Sequence, residues 1–137
     1  MKKTLTLFGL LLMCLLTFAQ NPCPQVIPAL QQWKGAKGTL ALPAQGSIVI
    51  NPQDEATLGQ TASILADDLK ELMGWEYTIT TGKAKKNDIY LSLSQADEQL
   101  GKEGYVLAIN NKVSIEAPTT QGVFWGTRTL LQMLYRQ

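Results

Sequence analysis

The sequence predicts an α+β domain, a small mixed or antiparallel sheet with two main helices packed on one face. Two apolar stripes and one hairpin signal carry that expectation. Leu58, Ala62, Leu65, Leu69 and Leu72 recur at steps of four, three, four and three, the spacing of one helical face. Val123, Thr127, Leu130, Leu131 and Leu134 form a second such stripe near the C-terminus. Between them, Gly104 to Ile109 and Lys112 to Ala117 are β-rich runs flanking Asn110-Asn111, two residues tolerant of positive φ.

In chain order, Met1 to Ala19 read as a secretory signal peptide. Lys2 and Lys3 supply its positive start, Leu5 to Phe18 its apolar run, and Thr17 and Ala19 the small residues ahead of a cleavage before Gln20. The product is then expected outside the cytoplasm, periplasmic or extracellular, with no membrane contact after cleavage. Residues 20–32 carry prolines without alternation and predict an extended lead-in, with order beginning near Trp33. Thr39 to Leu42 and Ser47 to Ile50 predict two strands joined by a turn at Pro43-Ala44-Gln45-Gly46.

Asn51 to Asp54 offer capping residues for the first helix, whose polar side carries Asp67, Asp68, Lys70 and Glu71, and Gly74 stands where a left-handed cap ends it. Tyr77 to Thr80 and Asp88 to Leu93 predict strands, the second with Ile89, Leu91 and Leu93 on one side. Ser94 to Lys102 is polar and predicts a loop or short helix. The last helix is expected to start at Thr119 or Thr120 and run towards Tyr135. Gly122 and Gly126 lie one turn apart on it, which indicates either close backbone approach to a neighbour or, for Gly122, no more than a place in the first turn.

Composition excludes several kinds of chemistry. The chain has no histidine, so serine or cysteine triads of the usual type and His-containing zinc sites are ruled out. Signal cleavage would leave Cys23 as the one thiol, which can form neither an internal disulfide nor a thiolate zinc site. Without Lys2 and Lys3, ten basic residues face eleven acidic ones, a balance with no footprint for nucleic acid or an anionic membrane. Lys83, Lys85 and Lys86 read as a solvated turn. No Gly-rich phosphate loop appears, and no cofactor is expected.

Glycoside hydrolysis uses paired carboxylates, and three adjacent acid pairs occur, Asp54-Glu55, Asp67-Asp68 and Asp97-Glu98. Adjacent side chains do not converge on one point. The first pair suits a helix N-terminus, the second a polar helix face and the third an exposed loop, so no catalytic or metal-binding residue is assigned. Trp33, Trp75 and Trp125 suit packing in the core or at an interface better than a sugar platform.

From Glu103 onward the pattern is specific. Glu103-Gly104-Tyr105-Val106-Leu107, Ile115-Glu116-Ala117, Gly122-Val123-Phe124-Trp125-Gly126 and Thr129-Leu130-Leu131-Gln132 follow in order. This resembles the N-terminal domain of family 20 β-N-acetylhexosaminidases, whose region has an acid-Gly-Tyr strand, a strand ending in Ala and a Gly-aromatic-aromatic-Gly helix closing in Thr-Leu-Leu-Gln. With Ile89-Tyr90-Leu91 and the helix ending at Gly74, the likeness spans residues 28–135.

The resemblance implies an α+β domain over residues 33–137, non-catalytic, preceding a (β/α)₈ barrel that removes terminal β-linked N-acetylglucosamine or N-acetylgalactosamine. In that family the substrate's acetamido oxygen attacks the anomeric carbon, an Asp orients it and a Glu acts as acid and base. Those residues belong to the barrel. A barrel needs about 250 residues, so this chain is expected to lack it and to be inactive alone. Trp125 and Arg128 are then the candidates for the face that meets the barrel, through which the glycan substrate would be encountered. The alternative expectation is a free-standing secreted module that binds glycans or a protein.

Overall fold

The computed structural model describes residues 20–93 and 97–136. The expected signal peptide, residues 1–19, together with residues 94–96 of the polar stretch and Gln137, lies outside the described residues. Contacts divide the chain into two units, one holding residues 20–24 and 30–39, the other residues 25–29 and everything from Leu40 on. In the first, Asn21 organises a short loop. Its backbone N–H donates to Ala36 O at 2.9 Å, its side-chain amide to Gly38 O at 2.7 Å, and its carbonyl accepts from the Trp33 indole at 3.2 Å.

The second unit contains β1 (Gln45–Ile50), a 3-10 turn (Pro52–Asp54), α1 (Glu55–Met73), β2 (Glu76–Thr81), β3 (Ile89–Ser92), a second 3-10 turn (Glu98–Leu100), β4 (Val106–Ile109), β5 (Val113–Glu116) and α2 (Thr120–Tyr135). One five-stranded sheet has the order β2-β1-β3-β5-β4. β2, β1, β3 and β5 run parallel, and β4 returns antiparallel to β5 as the Asn110-Asn111 hairpin. The expected α+β class is what forms: both helices pack on the side of the sheet that carries Ile48, Ile50, Ile89, Leu91, Val113 and Ile115.

The expected strand at Thr39 to Leu42, and its hairpin with β1, do not form. β1 is an interior strand with β2 on one edge and β3 on the other, so no ladder position remains for a hairpin partner. Leu40 and Leu42 instead pack half-buried against the core, and Gln45 and Gly46, expected in a turn, are the first residues of β1.

α1 buries Leu58, Ala62, Leu65 and Leu69, the predicted stripe except its last member, and in addition Thr61. Leu72 is 49% exposed, on the final turn beyond the sheet's cover. The helix ends as its sequence prescribes. Gly74 takes φ 70°, where a side chain would be strained, and Trp75 N–H reaches back to Leu69 O at 3.2 Å. Its start departs from expectation, because Asp54 makes no side-chain cap. Asp54 Oδ2 accepts instead from Asn51 Nδ2 at 2.8 Å and from Leu93 N–H at 2.9 Å, tying the helix entry to the end of β3.

α2 is capped by Thr119, whose Oγ1 accepts from Gly122 N–H at 3.0 Å. It buries Val123, Thr127, Leu130 and Leu131, with Leu134 half-buried. The two glycines resolve to close approach. A Cβ on Gly122 would overlap the Gly104 carbonyl oxygen and stand 2.8 Å from the Ala117 methyl. One on Gly126 would overlap the Ile115 side chain and lie 3.2 Å from the Tyr105 ring. Glycine's cost within a helix, about 1 kcal/mol against alanine, is offset by seating this helix directly on β5.

Candidate functional site

The motif from Glu103 to Gln132 is a set of fasteners around α2. Glu103 Oε1 accepts from Gln121 Nε2 at 2.8 Å. The Tyr105 hydroxyl hydrogen-bonds with Thr129 Oγ1 of α2. Gln132 closes the series by pairing both its amide groups with one backbone residue: Oε1 accepts from Ile27 N–H at 2.9 Å and Nε2 donates to Ile27 O at 2.8 Å. Arg136 Nη1 adds a bond to Gln25 O at 2.6 Å, and Val26 between them is 5% exposed. The segment 25–29, which the sequence placed in the lead-in, thus packs with this unit.

Of the two candidate docking residues, Trp125 is 38% exposed, its ring edge-on to Phe124 with centroids 5.6 Å apart at 65°. Arg128 is turned inward. Its guanidinium carbon stands 4.8 Å from the Phe124 ring centroid, and Nη1 lies 2.6 Å from Asp68 Oδ2 of α1, each side chain about a quarter exposed. The pair is an ion contact without hydrogen-bond alignment, and Nη2 is buried with no partner. Arg128 therefore joins the two helices while Trp125 presents its surface. Towards the helix ends, Leu72, Leu131, Gln132, Tyr135 and Arg136 line a mostly apolar groove of about 310 Å³.

The other singled-out residues have local tasks. Asp97 caps the second 3-10 turn by accepting from Gln99 N–H at 3.0 Å. Trp75 stacks on Tyr77 at 6.2 Å, a packing role, whereas Trp33 is 40% exposed. Cys23 is an exposed free thiol. Among the described residues, no group of three or more His, Cys, Asp or Glu side chains could hold a metal ion, and no helix is long and apolar enough to cross a membrane.

Tyr77 is the one described group with a resolved titration shift. Burial, with a smaller contribution from the Asp88 carboxylate, pushes its phenol from 10 up to about 12, and the hydroxyl donates to Pro43 O at 2.8 Å. Both effects hold the ring neutral in a packing position.

The opposite face of the sheet carries a feature that the sequence reading passed over. Strand register places Tyr90 beside Ser114 and brings Lys112, Ser114 and Glu116 to one side of the chain, while Val113 and Ile115 face the core. These residues, with Asn51, Pro52 and the Gly82-Lys83-Ala84 turn, line an open cleft of about 610 Å³. Its wall is braced: Asn87 N–H donates to Asn111 O at 2.8 Å, and Asp88 Oδ2 accepts from Lys85 N–H at 2.7 Å. The signal is the alternation Lys-Val-Ser-Ile-Glu, which the expected hairpin leaves unused.

Comparison with known proteins gives three findings. The profile of glycosyl hydrolase family 20, domain 2, matches residues 23–137. Lacto-N-biosidase of Bifidobacterium bifidum is 32% identical over 113 residues, covering 81% of this chain and 10% of that protein. A solved GH138 enzyme targeting pectin rhamnogalacturonan II superposes with a TM-score of 0.54 at 22% identity, over 67% of this chain and 10% of that one, a likeness of fold alone. The chain thus spans about a tenth of the length of each relative.

Proposed function

Because the chain belongs to glycosyl hydrolase family 20 as its domain 2, we propose that it is the non-catalytic companion of a β-N-acetylhexosaminidase barrel. That barrel would remove terminal β-linked N-acetylglucosamine or N-acetylgalactosamine through the substrate's own acetamido group. Export through the N-terminal segment, to the periplasm or beyond, is part of the same proposal.

The observation that carries the reading is the division of labour on α2. Its inner side seats on Ile115 of β5 at Gly126 and on Gly104 and Ala117 at Gly122, the Tyr105 hydroxyl bonds Thr129, and Arg128 holds it to α1, so the helix is a rigid platform. Trp125 stands out from that platform and Tyr135, 69% exposed, ends it beside the apolar groove. Large apolar side chains held on a rigid helix suit burial against a second domain. Asp54 and Asp68, each one of an adjacent acid pair, are engaged by Asn51, Leu93 and Arg128.

Two measurements test this. The chain alone is expected to release no p-nitrophenol from p-nitrophenyl N-acetyl-β-glucosaminide above blank, and turnover would overturn the non-catalytic role. Trp125 fluorescence, isolated by replacing Trp33 and Trp75 with Phe, is expected to shift to the blue when the polypeptide continues into a family 20 barrel. An unchanged spectrum would remove α2 from the docking face.

A further inference from the structure

The cleft on the open face of the sheet has a composition that packing does not explain. Its floor comes from rigid, register-matched strands, with the Tyr90 ring beside Ser114 and Glu116 two residues further along β5. Tyr90, Ser114 and Glu116 are all half-buried, and among the described residues no side-chain hydrogen bond or ion pair engages any of them. Lys112 and Lys83 stand in the lining and their ammonium groups are likewise unpaired among the described residues. The polar side chains elsewhere in this unit behave differently. Asp54, Asp68, Gln132 and Thr129 are all committed to neighbours.

We propose that this cleft binds a short acidic oligosaccharide, a sugar chain bearing carboxylate or sulfate groups. A flat aromatic ring takes the C–H face of a sugar, while hydroxyl and carboxylate groups beside it accept and donate to the ring hydroxyls. Ser114, the Tyr90 hydroxyl and Glu116 supply that set. The charge balance selects the acidic class: two lysines against one carboxylate leave the lining positive, and in the adjoining loop Lys85 and Lys86 outnumber Asp88. The volume lies within the range of small-ligand sites, about 300–1,000 Å³. The cleft lies on the side of the sheet away from α2, so a ligand there and a partner on the helices would not compete.

The test is an amide NMR titration of the whole ¹⁵N-labelled chain. Trigalacturonate is expected to shift the signals of Gly82 to Ala84, Tyr90 and Lys112 to Glu116, whereas neutral triacetylchitotriose leaves them in place. Lys112→Glu and Lys83→Glu are each expected to weaken binding by about tenfold, the scale of one charge-assisted contact, with the remaining spectrum unchanged as the control for folding. A carrageenan-derived disaccharide, which bears sulfate and no carboxylate, separates the two acid groups, and binding of either anionic sugar supports the site. Equal binding of the neutral trimer, equal binding of inorganic sulfate, shifts confined to other regions, or no shifts with either acidic sugar would each overturn the proposal. None of these outcomes depends on hexosaminidase activity, so this inference and the proposed function fail separately.

Discussion

The two faces of the single sheet are built to different standards. On the helix side, Ile48, Ile50, Ile89, Leu91 and Ile115 are at most 1% exposed, and a missing Cβ at two helix positions is needed to bring α2 into place. On the other side, Tyr90, Ser114 and Glu116 stand over a cleft with their polar groups uncommitted, and Val106 at the β4 edge is 52% exposed. A strand's alternation makes both possible from the same residues. Packing density restricts substitution on one face, and on the other hydration relaxes it around Tyr90, Ser114, Glu116 and Val106, although Val49 and Ser92 of that face are buried.

That contrast can be broken by mutation, beginning with the largest effect. Leu65→Ala empties a position with no exposure between α1 and the sheet and is expected to cost about 3–4 kcal/mol in denaturant melts, since its neighbours are fixed by backbone elements. Gly126→Val forces a side chain into Ile115 and Tyr105, with an expected loss of about 3 kcal/mol. If either variant melted like the parent chain, the helix side would not be the close-packed face described.

Alkaline pH sharpens the comparison. The folded-state phenol of Tyr77 titrates near 12 against an unfolded value near 10, so its contribution is complete below pH 10 and is lost as pH rises towards 12. Two pKa units correspond to about 2–3 kcal/mol. The Tyr77→Phe variant serves as reference: the parent is expected to lose more stability than the variant between pH 10 and 12, measured by urea melts. Parallel pH profiles would contradict the assignment.

Gln132→Ala releases the Ile27 backbone at an exposed site and is expected to cost about 1 kcal/mol, with faster amide exchange confined to residues 25–29. At the small end, Ser114→Ala on the open face is expected to change stability by no more than about 0.5 kcal/mol. A large loss there would show the cleft to be a packing feature.

How much of this was legible differs between fold and site. Both helices were readable because periodicity and the caps, Gly74 on α1 and Thr119 on α2, each act over a few neighbouring residues, and Asn110-Asn111 marked its hairpin for the same reason. The motif through Gln132 identified the family but not its use. That Gln132 grips Ile27 across 105 positions, or that Tyr105 meets Thr129, follows from no local pattern. Arg128 was expected on the face that meets the barrel, and only the crossing of α1 and α2 supplies Asp68 as its partner.

The sequence by itself determined which segments are helical, where they stop, which residues of each face the core, and to which family the pattern belongs. Those properties depend on short-range sterics, capping and the periods of helix and strand. Tertiary structure alone decided the strand order. β1 takes its partners from β2 and β3, beginning about 30 to 40 residues downstream, and this left Thr39 to Leu42 with no edge to join. It also decided that Lys112, Ser114, Glu116 and Tyr90 share one cleft, because strand pairing is set by which distant apolar faces can be buried together, a condition no local window contains.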